Sequence, residues 1–228
     1  LPNDSLVPAG PFCEVDAAYT LQAITTAGLW TGTGITDTNL GTFDPAVATP
    51  GLHIITYTYT SVCSFIQTMP ITVKPNPTLP IVSNNSPLCE RLDLNFLTTT
   101  IQDATYNWTG PNGFSSNLQN PVISNVTYAD SGDYQLYIIV DGCLSPVVTS
   151  LGAVWPTPPT PVILTNSPLC EGQNLFLETD SFPNASYFWS GPSGFSSNLR
   201  KPVIGYPTVV NSGTYEIIKI ANGCSSIA

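Results

Sequence analysis

Thr105-Tyr106-Asn107-Trp108-Thr109-Gly110-Pro111-Asn112-Gly113-Phe114, followed by Asp130-Ser131-Gly132-Asp133-Tyr134, sets the architecture of this chain. A short aromatic strand carries one Trp, which can fill the space between two sheets. A glycine turn then leads into a Tyr whose hydroxyl can tie back to upstream backbone. Tyr134-Gln135-Leu136-Tyr137-Ile138-Ile139-Val140 continues as a strand rich in β-branched and aromatic residues. Further strands are expected at Leu52 to Thr60, Leu92 to Leu97, Thr105 to Thr109, Val122 to Val126 and Ser145 to Leu151. Turn signals at about 8 to 12 residue intervals point to an all-β sandwich.

The same stretch occurs twice, at an offset of 81 residues. Tyr187-Phe188-Trp189-Ser190-Gly191-Pro192-Ser193-Gly194-Phe195 repeats the strand and turn, and Ser212-Gly213-Thr214-Tyr215 repeats the corner. Asn85-Ser86-Pro87-Leu88-Cys89-Glu90 returns as Asn166-Ser167-Pro168-Leu169-Cys170-Glu171, and Gly142-Cys143 as Gly223-Cys224. About 31 identities fall over 68 aligned positions, Pro80 to Val147, with no gap. The first 75 residues do not share that register, but they too hold two cysteines. Proline-rich spacers at Lys74-Pro75-Asn76-Pro77 and Trp155-Pro156-Thr157-Pro158-Pro159 divide the segments and favour semi-rigid, extended backbone. The expected organisation is three tandem immunoglobulin-like β-sandwich domains in an extended array: residues 1–75, of a divergent type, then 76–156 and 157–228. Trp30, Trp108, Tyr134, Trp189 and Tyr215 are the expected structural core.

Each segment has one cysteine near its start and one near its end: Cys13 and Cys63, Cys89 and Cys143, Cys170 and Cys224. An even count in an extracellular type of composition points to disulfides, one inside each domain. Closing about 50 residues would contribute on the order of 4 kcal/mol in the chain-entropy model. Zinc is the alternative, against which stand the absence of any CxxC and a single histidine, His53. Tyr134 and Tyr215 are followed two positions on by Leu136 and Ile217, where the antibody pattern has Cys, so a staple here is peripheral. The third segment runs only four residues past Cys224, which suggests a piece of a longer array, or a last strand supplied from elsewhere.

Composition narrows the function. Only 9% of residues are charged, the net charge is −10, and 22 prolines and 17 glycines oppose long helices. Fifteen acidic residues against five basic ones leave no basic surface for nucleic acid or anionic lipid. No apolar run reaches the length that spans a bilayer as a helix, so direct membrane insertion is not expected. The chain does not begin with Met, and reads as starting after processing or as part of something longer.

Ser-Pro-Leu-Cys-Glu-Gly, Trp-x-Gly-Pro-x-Gly-Phe, Asn-Pro-x-Ile, Ser-Gly-x-Tyr and Asn-Gly-Cys resemble the immunoglobulin-like and PKD-like repeats of large Bacteroidota surface proteins of the gliding-motility adhesin type. Arg91 and Lys201 depart from the usual Gly and Asn. The first segment resembles a companion repeat through Phe12-Cys13, Gly28-Leu29-Trp30-Thr31-Gly32-Thr33-Gly34 and Thr42-Phe43-Asp44-Pro45, with Val62 in place of a Gly. The resemblance implies a protein exported by type IX secretion to the cell surface.

Catalytic constellations are not legible. His53 lies inside a strand, no GxSxG, P-loop or HExxH occurs, and Thr31-Gly32-Thr33-Gly34 opens no helix and reads as a turn. Asp130, Asp133 and Asp141 are a Ca²⁺ candidate set, but Asn211, Thr214 and Asn222 replace them in the next repeat, which favours turn roles. Tyr128, Tyr137 and Trp155 are candidate sugar-stacking residues, and Ser5 in Asp4-Ser5-Leu6 is an O-glycosylation candidate. The expectation is a non-enzymatic segment of a secreted cell-adhesion protein, with no resident cofactor, a stiff disulfide-stapled shaft contacting its neighbouring repeats. The alternatives are a module binding surface polysaccharide, a filament subunit, or an accessory region of a secreted enzyme.

Overall fold

The computed structural model describes residues 6–60 and 64–228. Its strands surround three separate hydrophobic clusters, and "first", "second" and "third" sandwich denote the strands around each. The fold is all-β and immunoglobulin-like: each cluster lies between two small, mostly antiparallel sheets.

In the first sandwich, Gly51–Tyr59 and Phe65–Lys74 form a long hairpin flanked by Leu29–Thr31 on one side and Phe12–Cys13 on the other. Side chains alternate across a strand, so Ile55 and Tyr57 point inward with Ile71 and Val73 from the facing strand, all buried. Trp30 packs on Tyr57 with ring centroids 4.6 Å apart. The Tyr57 hydroxyl donates to the Thr25 carbonyl at 2.6 Å and accepts the Gly28 N–H at 2.7 Å, pinning the loop that enters the Trp30 strand. The Asp44-Pro45 pair starts a one-turn helix, Pro45–Ala48. The Asp44 carboxylate accepts the Ala46 N–H, and proline occupies a position where no N–H is needed.

In the second sandwich, Leu94–Thr98 lies between Val82–Asn84 and Val122–Ile123. The opposing sheet is built on Gly132–Val140, which pairs with Thr105–Thr109, Cys143–Leu144 and Val148–Gly152. Phe96, Trp108 and Tyr134 fill the middle with ring centroids about 5 Å apart. Trp108 Nε1 donates to the Leu118 carbonyl at 3.1 Å, and the Tyr134 hydroxyl donates to the Asp130 carbonyl at 2.6 Å. That last bond is the tyrosine corner. Gly110 lies flat against the Tyr134 ring; a Cβ there would come within 2.4 Å of it. The strand expected at Val122 to Val126 is shorter, because Asn125 turns to φ 54° with its N–H held by the Asp93 carboxylate.

The third sandwich repeats this plan. Trp189 Nε1 donates to Leu199, and the Tyr215 hydroxyl to Asn211. Leu175, Leu177, Trp189 and Ile217 form its core, with Tyr215 half-buried beside them. Ile138 of the second sandwich is replaced here by Lys219, and Thr99 by Asp180. Lys219 is fully buried, and its ammonium reaches the Asp180 carboxylate at 2.8 Å. A buried cation needs such a partner, so the two replacements act together.

Candidate functional site: cysteine clasps between sandwiches

The cysteines do not close the individual sandwiches. Cys13 of the first bonds to Cys143 of the second, with Cα atoms 5.5 Å apart, and Cys89 of the second bonds to Cys224 of the third, at 5.6 Å. Cys170 is an exposed free thiol. Cys63 lies outside the described residues. Disulfides inside each segment, as the even spacing suggested, are therefore corrected for Cys13, Cys89, Cys143, Cys170 and Cys224.

The reason is the length of one strand. Cys143 pairs across from Val140, at one end of the Gly132–Val140 strand. Cys89 lies beside Trp155, which continues past Gly152, the residue opposite Gly132 at the other end. Nine residues of strand put roughly 27 Å between those ends, far beyond the about 7 Å of Cα separation that a disulfide tolerates. Cys89 and Cys143 of the second sandwich thus sit at opposite poles, and each meets a cysteine of a neighbouring sandwich.

The pole that faces the following sandwich has a common construction. Phe12-Cys13 runs parallel to Val73-Lys74, and Leu88-Cys89 runs parallel to Val154-Trp155. In each, the Glu after the cysteine donates its backbone N–H to the last residue before the proline spacer: Glu14 to Lys74 and Glu90 to Trp155, both at 3.0 Å. The spacer therefore departs alongside the cysteine. Glu90 adds two bonds of its own, its carboxylate accepting the N–H groups of Tyr128 and Thr157 at 3.0 and 3.1 Å.

The opposite pole is a hairpin tip. Asp141-Gly142 and Asn222-Gly223 both take positive φ at each residue, the geometry of a type I′ turn. Each turn places the next residue, Cys143 or Cys224, at the start of the return strand, and both are buried at the joint. At the first joint, Lys74 Nζ also donates to the Asp141 carbonyl at 2.8 Å.

Other sequence candidates fall elsewhere. Asp130 caps a turn, accepting the Thr127 N–H and hydroxyl. Asp141 stands at the far end of the strand that begins next to Asp130, so the three aspartates do not meet. Among the described residues no group of three His, Cys, Asp or Glu side chains converges. His53 Nε2 bonds with the Thr49 carbonyl beside the Phe43 ring. Gly32 and Gly34 form a turn packed on Ile55, Phe43 and Ala48. Tyr128 and Trp155 are exposed near the second joint, while Tyr137 lies half-buried on the Gly132–Val140 strand. Ser5 lies outside the described residues.

Two groups are shifted far from their ordinary values. Burial, then the Asp130 charge, pushes the Tyr134 phenol up to about 12. The Lys219 ammonium, then the Val162 N–H, pull the Asp180 carboxyl down to about 2. Sequence reading missed both the joint glutamates and the Lys219–Asp180 pair. The signals were present: Pro-Phe-Cys-Glu at Pro11–Glu14 matches the two Pro-Leu-Cys-Glu motifs, and the aligned Ile138/Thr99 positions change together.

No family model and no curated protein sequence matches the chain. Solved structures similar to it include a mouse coronavirus receptor-binding domain complexed with its murine receptor. There the identity is 13% and the TM-score 0.42, covering 64% of this chain and 95% of that one. Murine CEACAM1b gives 13% identity and TM-score 0.40, over 65% of this chain and 96% of that one. Consecutive domains of titin give 8% identity and TM-score 0.36, over 99% and 94%.

Proposed function

We propose that this chain is a load-bearing shaft segment of an extracellular surface protein of the Bacteroidota adhesin kind, holding a distal part away from the cell. One observation carries the reading: each disulfide joins two successive sandwiches instead of closing one. A disulfide inside a domain protects that domain. One between domains fixes their relative orientation and hands tension from one to the next. Two disulfides also fit an oxidising, extracellular setting.

The covalent path shows what this does under load. With both bonds intact, tension entering before Cys13 passes to Cys143, back along the second sandwich to Cys89, and across to Cys224. That path holds about a third of the residues, so the taut oxidised chain would reach ~250 Å, against ~780 Å reduced. Once the chain is taut, residues 14–74 lie off that path, while Phe12–Cys13, a strand of the first sandwich, lies on it. Single-molecule extension tests the reading: the oxidised protein should stop near ~250 Å and gain several hundred ångström on addition of a thiol reductant. Equal extensions in both states, or small-angle scattering from a compact globule, would rule the shaft out.

A further inference from the structure

The third sandwich carries an open groove of about 490 Å³ along one edge, with Cys170 in its lining. Its walls repeat, 81 positions on, the residues that grip the last strand of the second sandwich. In the second, Ser86 Oγ donates to the Leu151 carbonyl, and Leu88 and Glu90 donate N–H groups to Ala153 and Trp155. Ser131 Oγ accepts the Val154 N–H, and Leu94 and Tyr134 close on Gly152. In the third, Ser167, Leu169, Glu171, Ser212, Leu175 and Tyr215 occupy those positions, and all line the groove. Tyr134 is fully buried while Tyr215 is half-open.

The backbone tells the same story. Gly132–Leu136 is laddered to Val148–Gly152 over five residue pairs. At the matching stretch, residues 213–217, the strand begins only at Glu216, and among the described residues nothing pairs with that edge. An unpaired edge beside an apolar trough is a template for a strand. Cys170 marks where such a strand would lead: Cys13 and Cys89, in the same Pro-x-Cys-Glu setting, each run beside the departing spacer and clasp the next sandwich.

We infer that the groove seats a β-strand carried by the same polypeptide beyond Ala228, in the register of Val148–Trp155. The sandwich after that strand then closes a third clasp from its hairpin cysteine to Cys170. The same polypeptide is the indicated source because the equivalent strand in the second sandwich and both existing clasps are supplied in line. Bond formation joins the two Sγ atoms. Two protons and two electrons pass to a disulfide oxidant, such as oxidised glutathione or the disulfide of an exchange catalyst, which leaves as two thiols. This inference rests on the tandem-array reading above.

The test extends the whole chain by appending a second copy of Val148–Ala228 directly after Ala228. This restores the repeat register, and Cys170 then stands 135 positions before the appended copy of Cys224, the separation of the Cys89–Cys224 bond. Non-reducing peptide mapping should join those two residues. Iodoacetamide labelling of Cys170, complete in the original chain, should fall at least tenfold. A second variant, carrying only Val148–Pro156 after Ala228, should leave Cys170 a thiol but slow amide exchange at residues 213–217 by tenfold or more. Continued labelling of Cys170 in the first variant, or unchanged exchange in the second, would overturn the inference. So would concentration-dependent dimers of the original chain that protect residues 213–217, since a second copy would then be the occupant. If the Cys13–Cys143 and Cys89–Cys224 peptides are found in the same map, the array reading survives such a failure; their absence would remove both.

Discussion

Cys13 and Cys143 stand 130 positions apart in the chain and 5.5 Å apart in space, one at the exit pole of a sandwich and the other at the hairpin tip of the next. That relationship ties two successive sandwiches together covalently at a second point. In the chain-entropy model a loop of that length contributes about 5 kcal/mol.

Thiol chemistry gives the most direct check. Digestion of the alkylated, unreduced protein should yield a Cys13–Cys143 peptide and a Cys89–Cys224 peptide, with Cys170 carrying the label. A Cys89–Cys143 peptide would contradict the geometry, since the two cysteines lie at opposite ends of a nine-residue strand.

Replacing both members of one clasp, Cys89→Ser with Cys224→Ser, should free the second joint without dissolving the sandwiches, since neither cysteine belongs to a core cluster. Scattering should show a broader distribution of maximum dimensions. The melting transition should split, with the third sandwich unfolding first.

The Lys219–Asp180 pair makes the third sandwich acid-sensitive. Asp180 has its folded pKa drawn down to about 2 from 3.8, so its contribution is present above pH 4 and is lost as pH falls from about 4 to 2. Asp180→Thr alone leaves a buried ammonium and should cost roughly 2–3 kcal/mol, less than for a fully buried pair because Asp180 keeps 40% of its side-chain exposure. Adding Lys219→Ile, which restores the Thr99/Ile138 arrangement, should recover that loss and flatten the acid limb of the stability curve. Urea melts at pH 2.5 and 6 would measure both.

Tyr134→Phe removes the 2.6 Å bond to Asp130 inside the second sandwich and should cost about 1–2 kcal/mol. Tyr215→Phe should cost less, because its ring is half-open. Gly110→Ala drives a methyl group into the Tyr134 ring and should cost about 1–3 kcal/mol, or more if the ring cannot shift. Denaturant titration ranks the three. In absorbance titration Tyr134 should ionise near pH 12.

Much of the fold was readable in the chain. Trp108, the Gly-Pro turn and Tyr134 have local meanings: a large ring in a short strand must be covered, and a Tyr four residues after Asp130 can reach its carbonyl. The repeat carried those meanings to Trp189 and Tyr215. The Thr105–Thr109 strand matches the expectation residue for residue, since alternation and turns are local properties. The Lys219–Asp180 pair was present only as a joint substitution, because a lysine in a strand looks solvent-facing until its neighbours are known.

The cysteine partners were of a different kind. Position along the chain identified six candidates, each segment with one at either end. Equal spacing suggested closure within each segment, yet a strand is stiff and about 3.3 Å long per residue, so spacing here measures how far the two cysteines are held apart. Which sulfur meets which depends on where each sandwich's poles lie relative to its neighbour, and that is set by parallel pairing at the spacer and the type I′ turn at the hairpin. Sequence by itself determined the sandwiches, because their cores and turns are built from nearby residues. Only the tertiary structure decided the joints, because a disulfide forms by proximity in space between rigid bodies.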